Sequence, residues 1–242
     1  IHGSILAIAG ILVRIIGMLY RIPVVNIIGS EGNGIYGAAF NIYNIMLVLS
    51  SYGLPMAVSK LVSARFTKKR YKSAAKVLRC SLMVAVCTGG IAALLVFFGA
   101  SFIENVIYGG GLPGLAVPLR ILAPTIFLVA ILGVIRGFFQ GQSTMIPTAV
   151  SQILEQIVNA IVSIAAGYGM MKAFASSPDV AAYGAAGSTL GTAMGALTAV
   201  LFMGFLYAVY TPTFNRLKRK DRHTENQSTG QICKIIIYTM IP

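Results

Sequence analysis

Charge is scarce in this sequence, and acidic charge above all. Its 242 residues include 19 Lys and Arg but only six Asp and Glu, while 57% are hydrophobic. Histidine and cysteine are also scarce, at two and three, and each shortage removes a class of chemistry. His2 and His223 sit in polar flanks far from other ligand types, so no Ser/His/Asp or Cys/His arrangement can be assembled. Cys80, Cys87 and Cys233 lack metal-ligand spacing and read as small packing residues. No Walker motif is present, and Gly29-Ser-Glu-Gly32-Asn-Gly34 follows no strand, so it is no phosphate loop. Alternating ten-residue segments are missing too, which excludes a membrane barrel. Neither an enzyme nor a metal or cofactor site is expected.

What remains is apolar length. Six segments, near 4–28, 34–60, 77–103, 119–141, 146–171 and 184–210, each exceed the ~20 residues that cross a hydrocarbon layer as a helix. A seventh begins near Ile232 and reaches Pro242. The expected fold is an all-α, polytopic transmembrane helix bundle. Its units are a six-helix bundle over 1–210, a basic cytoplasmic linker over 211–231, and the start of a truncated seventh helix over 232–242. Opening on Ile1 and stopping inside an apolar run, the chain reads as part of a longer protein. Its first span is too long for a signal peptide and carries Arg14 and Arg21 within it.

Basic residues orient the spans. One loop holds Arg65, Lys68, Lys69, Arg70, Lys72, Lys76 and Arg79; another holds Arg216, Lys218, Arg219, Lys220 and Arg222. Alternating spans put both on one side, and the opposite connections carry Glu31, Glu104, or Lys172 with Asp179. The positive-inside rule makes the N-terminus and both basic loops cytoplasmic, in a multi-pass plasma-membrane protein. The net charge of +13 is then a topology signal with some attraction to anionic lipid, and no nucleic-acid partner is expected.

The rare polar residues inside the spans are the candidate site, because an ionisable group in lipid is costly unless it faces protein or water. Gln152, Glu155, Gln156, Asn159 and Ser163 recur on one face of the fifth span. Entering near Ile146, Glu155 lies roughly 13 Å deep at 1.5 Å per residue. The stripe faces an aqueous cavity or, on the other reading, hydrogen-bonds neighbouring helices. Arg14 and Arg21 share nearly one face of the first span, and Pro23 frees a carbonyl one turn back. Two guanidiniums there suit a phosphate, or form a structural ion pair such as Arg14 with Glu155. Asn41 and Asn44 stand one turn apart in the second span, ahead of Ser50, Ser51 and Pro55. In the fourth, Pro124 bends the helix, and Arg136 with Gln140 is expected to snorkel to the cytoplasmic surface. Gly187, Gly191 and Gly195 form a close-packing ladder in the sixth.

Three ordered motifs add a resemblance. The run from Asn41 to Lys60 (NIYNIMLVLSSYGLPMAVSK), the stretch LRILAP from Leu119 to Pro124, and the run from Arg136 to Gln156 (RGFFQGQSTMIPTAVSQILEQ) resemble polysaccharide-biosynthesis and export proteins of the stage V sporulation protein B type. That family sits with lipid II flippases, oligosaccharide-lipid flippases and MATE drug exporters. The resemblance implies two pseudo-symmetric helix bundles around a cavity that opens alternately to each side. This chain would be the MATE-like N-terminal lobe, and its missing C-terminal lobe, the bilayer and a lipid-linked saccharide would be its partners. Arg14 and Arg21 match first-helix arginines that engage pyrophosphate in flippase relatives. Where relatives often carry a basic residue this chain has Asn159, so the fifth helix adds no positive charge. The expected function is a flippase or exporter of an undecaprenyl-pyrophosphate-type saccharide or peptidoglycan precursor. The other readings are a cation-coupled drug exporter using Glu155, and a non-transporting scaffold in cell-wall or spore-coat assembly.

Overall fold

A computed structural model describes residues 2–221 and 228–240; Ile1, Arg222, His223 and Pro242 lie outside them, as does the side chain of His2. The described residues form helices and no strand: α1 (His2–Ser50), α2 (Leu54–Thr67), α3 (Tyr71–Phe102) ending in a π turn (Ile103–Ile107), α4 (Ala116–Gln140), α5 (Ile146–Ala173), α6 (Val180–Lys220) and α7 (Thr229–Met240). Five helical stretches are long and apolar enough to cross a membrane: Leu6–Thr67, Tyr71–Ile107, Ala116–Gln140, Ile146–Ala173 and Val180–Lys220.

The first stretch holds two of the expected spans, joined without a loop. At Gly29 the backbone takes φ 70° and ψ −176°, outside any helix and accessible in practice only to glycine. There α1 folds into two arms, 2–28 and 30–50. Residues on the arms, such as Arg21 and Asn41, line one cavity. An unbroken helix would hold them about 30 Å apart. The expected loop over 29–33 is therefore corrected to a single-residue turn. The expected continuous span 34–60 is corrected as well, because the helix breaks over Ser51–Gly53. Pro55 explains the break: lacking an N–H, it fits the first turn of a new helix and not the interior of an old one.

Small residues set the closest packing. A Cβ on Gly191 would come 2.5 Å from the Asn159 carbonyl oxygen and one on Gly195 2.6 Å from that of Glu155, so the expected ladder seats α6 directly on the backbone of α5. A second ladder does the same for α4 on α2, with Gly137 against Pro55 and Gly141 against Ser59. Close backbone approach of this kind drives helix association where lipid offers no hydrophobic incentive. Polar caps close the ends. The Glu104 carboxylate accepts from the backbone N–H of Gly114 (3.1 Å) and Ala116 (2.7 Å) at the start of α4. Buried Asp221 accepts from Lys72 N–H (2.8 Å), tying the end of α6 to the first turn of α3. Helix α6 continues through Arg216, Lys218, Arg219 and Lys220, so these residues are helical.

Two apolar clusters occupy the two ends of the bundle. One gathers Val24, Ile28, Ile35 and Ala39 of α1 with Leu119, Leu122 and Ala185. The other gathers Leu54, Val58, Phe138, Met203, Phe214 and Ile236, with Phe66 and Phe214 stacked at 6.1 Å between ring centres. One side of the first arm of α1 is open: Ile8, Ile11, Leu12, Ile15, Met18, Leu19 and Ile22 are all exposed. Outward apolar side chains on long helices are what lipid contact requires.

Candidate functional site

The fold at Gly29 builds a cavity of about 400 Å³ between the two arms of α1. Gly17, Tyr20 and Arg21 line it from one arm; Tyr36, Gly37, Phe40, Asn41 and Asn44 line it from the other. Its polar groups are one guanidinium, two amides and two phenols, with no carboxylate. Arg21 is exposed to the cavity and makes no ion pair with a described residue. Pro23 lacks the N–H that would bond the Leu19 carbonyl, adding a free acceptor on the same arm. A guanidinium beside neutral donors has the chemistry to attract an oxyanion, two of whose oxygens it can match at once. Arg14 is exposed further along the same arm, outside the cavity lining, and also lacks an ion-pair partner among the described residues.

The α5 stripe divides between tasks. Glu155 accepts a 2.7 Å bond from Arg136 Nη2, and Arg136 Nε donates to Ser151 Oγ at 2.9 Å. The carboxylate thus pairs with Arg136 and not with Arg14. The expectation that Arg136 snorkels to the surface is corrected with it. The guanidinium is only 14% exposed, because Ser151 and Glu155 stand one turn apart on α5 and offer two acceptors to one fork. Asn159 is buried, donating from Nδ2 to Tyr20 Oη at 3.1 Å. Its Oδ1 receives Ser163 Oγ (2.9 Å) and Thr192 Oγ1 (3.4 Å). Ser163 also reaches the Ser188 carbonyl on α6 at 2.8 Å. This upper part of the stripe hydrogen-bonds between helices, and through Tyr20 it braces one wall of the α1 cavity. Gln156 is half-buried and lines neither that cavity nor the next.

A second cavity, about 260 Å³, opens where α1 breaks. Ser51, Tyr52 and Pro55 line it together with Arg136 and Gln140 of α4 and Gln152 of α5. Asn44 in the first cavity and Leu47 in the second lie one turn apart on the same arm.

Sequence reasoning did not single out Tyr20, Tyr36 or Tyr52, which line the two cavities. The available signal was position: Tyr20 adjoins Arg21, and Tyr36 falls on the face that leads to Phe40 and Asn44.

Folded-back arms, broken helices and five long apolar stretches define a multi-pass membrane helix bundle. A family model for polysaccharide biosynthesis proteins matches residues 2–230, and the chain belongs to that family. It is 35% identical over 167 residues to the lipid II flippase MurJ of Bacillus subtilis, covering 66% of this chain and 31% of that one. To the stage V sporulation protein B of the same organism it is 30% identical over 201 residues, covering 82% of this chain and 37% of the other. The chain thus spans about a third of the length of these curated relatives. Among solved structures, a MATE protein in complex with MaD3S superposes with a TM-score of 0.75 at 15% identity, covering 98% of this chain and 52% of that chain, a likeness of fold.

Proposed function

We propose that this chain is the N-terminal lobe of a transporter that flips or exports a lipid-linked saccharide precursor on a diphosphate carrier. The observation that carries the reading is the distribution of charge. The cavity between the α1 arms presents an unpaired arginine and no acid, while the deep carboxylate, Glu155, is neutralised by Arg136. An anionic group is attracted to such a cavity; a cationic drug is not. The carboxylate that a cation-coupled exporter needs is already engaged. Arg21, with Asn41 and Asn44, would hold the diphosphate, Arg14 would attract it along the same arm, and the lipid tail would stay in the bilayer. The similarity to a lipid II flippase supports the same substrate class. A second lobe of the whole protein would complete the cavity and rock against this one to expose it alternately to each side. The positive-inside rule places the N-terminus and both basic segments in the cytoplasm, and the chain performs no catalysis of its own. In units, the bundle of the expected 1–210 continues in α6 to Lys220, within the expected basic connection over 211–231, and the next helix begins at Thr229 and not at 232.

The test is precursor flux into vesicles containing the full-length protein, comparing wild type with Arg21→Gln and Arg14→Gln at matched protein levels. Arg21→Gln should reduce flux by about tenfold or more, as expected for losing a charge-assisted bond worth ~1.5–3 kcal/mol. Unchanged flux in both variants would refute anion recognition by α1.

A further inference from the structure

We propose that the second cavity, at the break between α1 and α2, is a subsite for the saccharide head, distinct in chemistry from the anion site above it. The inference rests on the reading of the Arg21 cavity as the diphosphate site and adds to it where the sugar goes. Of the polar groups lining the second cavity, Arg136 has its charge cancelled at 2.7 Å by Glu155 and its Nε committed to Ser151. A bare anion therefore gains little there. The amides of Gln140 and Gln152 remain, each with two donors and an acceptor. Gln140 reaches only Thr148 Oγ1, at 3.5 Å, and Gln152 bonds no described residue. The Ser51 hydroxyl adds a donor and acceptor, already held in place by Ser50 at 3.0 Å. Tyr52, 78% exposed, and Pro55 offer apolar surface at the rim.

Neutral amides and a hydroxyl beside an exposed aromatic ring suit a ligand that alternates hydroxyl or acetamido groups with C–H faces, which is a pyranose. The position agrees. Asn44 and Leu47 place the two cavities one turn apart on the same arm, or about 4.5 Å along the axis. A head group joined directly to a diphosphate beside Arg21 reaches the second cavity without leaving that helix face.

The experiment measures binding to the purified full-length protein in nanodiscs with two probes: undecaprenyl diphosphate, and the same lipid bearing an N-acetylhexosamine disaccharide. Wild type should hold the glycosylated lipid at least tenfold tighter. The double variant Gln140→Leu/Gln152→Leu should lose that margin and keep its affinity for the bare diphosphate, while Arg21→Gln should weaken both. Equal wild-type affinity for the two probes would overturn the subsite and leave the diphosphate site standing. Failure of wild type to bind either lipid would overturn both proposals. A double variant that melts at the wild-type temperature yet retains the margin would also overturn the subsite. Should the double variant not fold, Gln152→Asn, which shortens the reach while keeping the amide, should lose part of the margin, and full retention would count against the subsite.

Discussion

Breaking the Arg136–Glu155 pair should cost stability in a way that identifies its partner. The two side chains are 14% and 19% exposed and meet at 2.7 Å. Removing one partner of a fully buried pair costs about 3–5 kcal/mol, mostly through the stranded charge. Partial exposure lowers that cost, and Glu155→Met or Arg136→Met alone should each destabilise by about 2–3 kcal/mol. Joining the two changes strands nothing, because methionine fills either position without a charge. The double variant should therefore lose much less than the sum, with a coupling of about 2 kcal/mol, or roughly thirtyfold in the unfolding equilibrium. Arg14→Met supplies the control: it does not touch Glu155, so its effect should add to that of Glu155→Met within ~0.5 kcal/mol. Reversible unfolding of the full-length protein in lipid, measured for all four corners of each cycle, is the assay. Additivity in the Arg136 cycle, or coupling in the Arg14 cycle, would refute the pairing and with it the neutralised carboxylate on which the functional reading depends.

Other outcomes follow from packing and caps. Gly191→Ala would put a Cβ 2.5 Å from the Asn159 carbonyl and 2.6 Å from the Ser163 nitrogen, both backbone, so α5 and α6 must part. It should cost about 1–3 kcal/mol by thermal unfolding. Gly204→Ala on the same helix meets nothing within 4 Å and should be neutral or stabilising by up to ~1 kcal/mol, so indistinguishable melting points would contradict the ladder. Glu104→Ala removes the acceptor for two N–H groups at the start of α4 and should lower stability by about 1–2 kcal/mol, with Glu104→Gln recovering part of it. Gly29→Ala has open space for its methyl group, yet its φ of 70° should cost about 1–3 kcal/mol, read as a lower melting temperature, and weaken diphosphate binding.

The spans were legible because twenty-residue apolar runs need no knowledge of their neighbours: hydropathy is local and lipid thickness is fixed. The same locality made the first turn findable near Gly29 but hid its form, since five polar or small residues read as a loop when one glycine suffices. Pairings across helices were harder. Arg136 and Glu155 lie nineteen residues apart on two helices, and which side chains meet depends on rotation and register that periodicity leaves open. The hint was that each helix repeats polar groups one turn apart, Arg136 with Gln140 and Ser151 with Glu155. The polar residues of α5 lie on one helix face by their spacing, but a face covers a wide arc. Gln152 at its lower end lines the second cavity, Glu155 pairs with Arg136, and Asn159 with Ser163 turns to α6.

The turn at Gly29 makes the cavity between the arms a matter of handedness. Its backbone angles, reflected, are φ −70° and ψ +176°, an ordinary extended conformation for an amino acid of natural chirality. A D-alanine placed there by chemical ligation should sit without strain and keep Arg21 opposite Asn41, while the L-enantiomer with the same atoms opposes the turn. Both arms of α1 run as right-handed helices, through their other glycines as well. Within α1 only Gly29 takes a positive φ, and the cavity between the arms exists because of it.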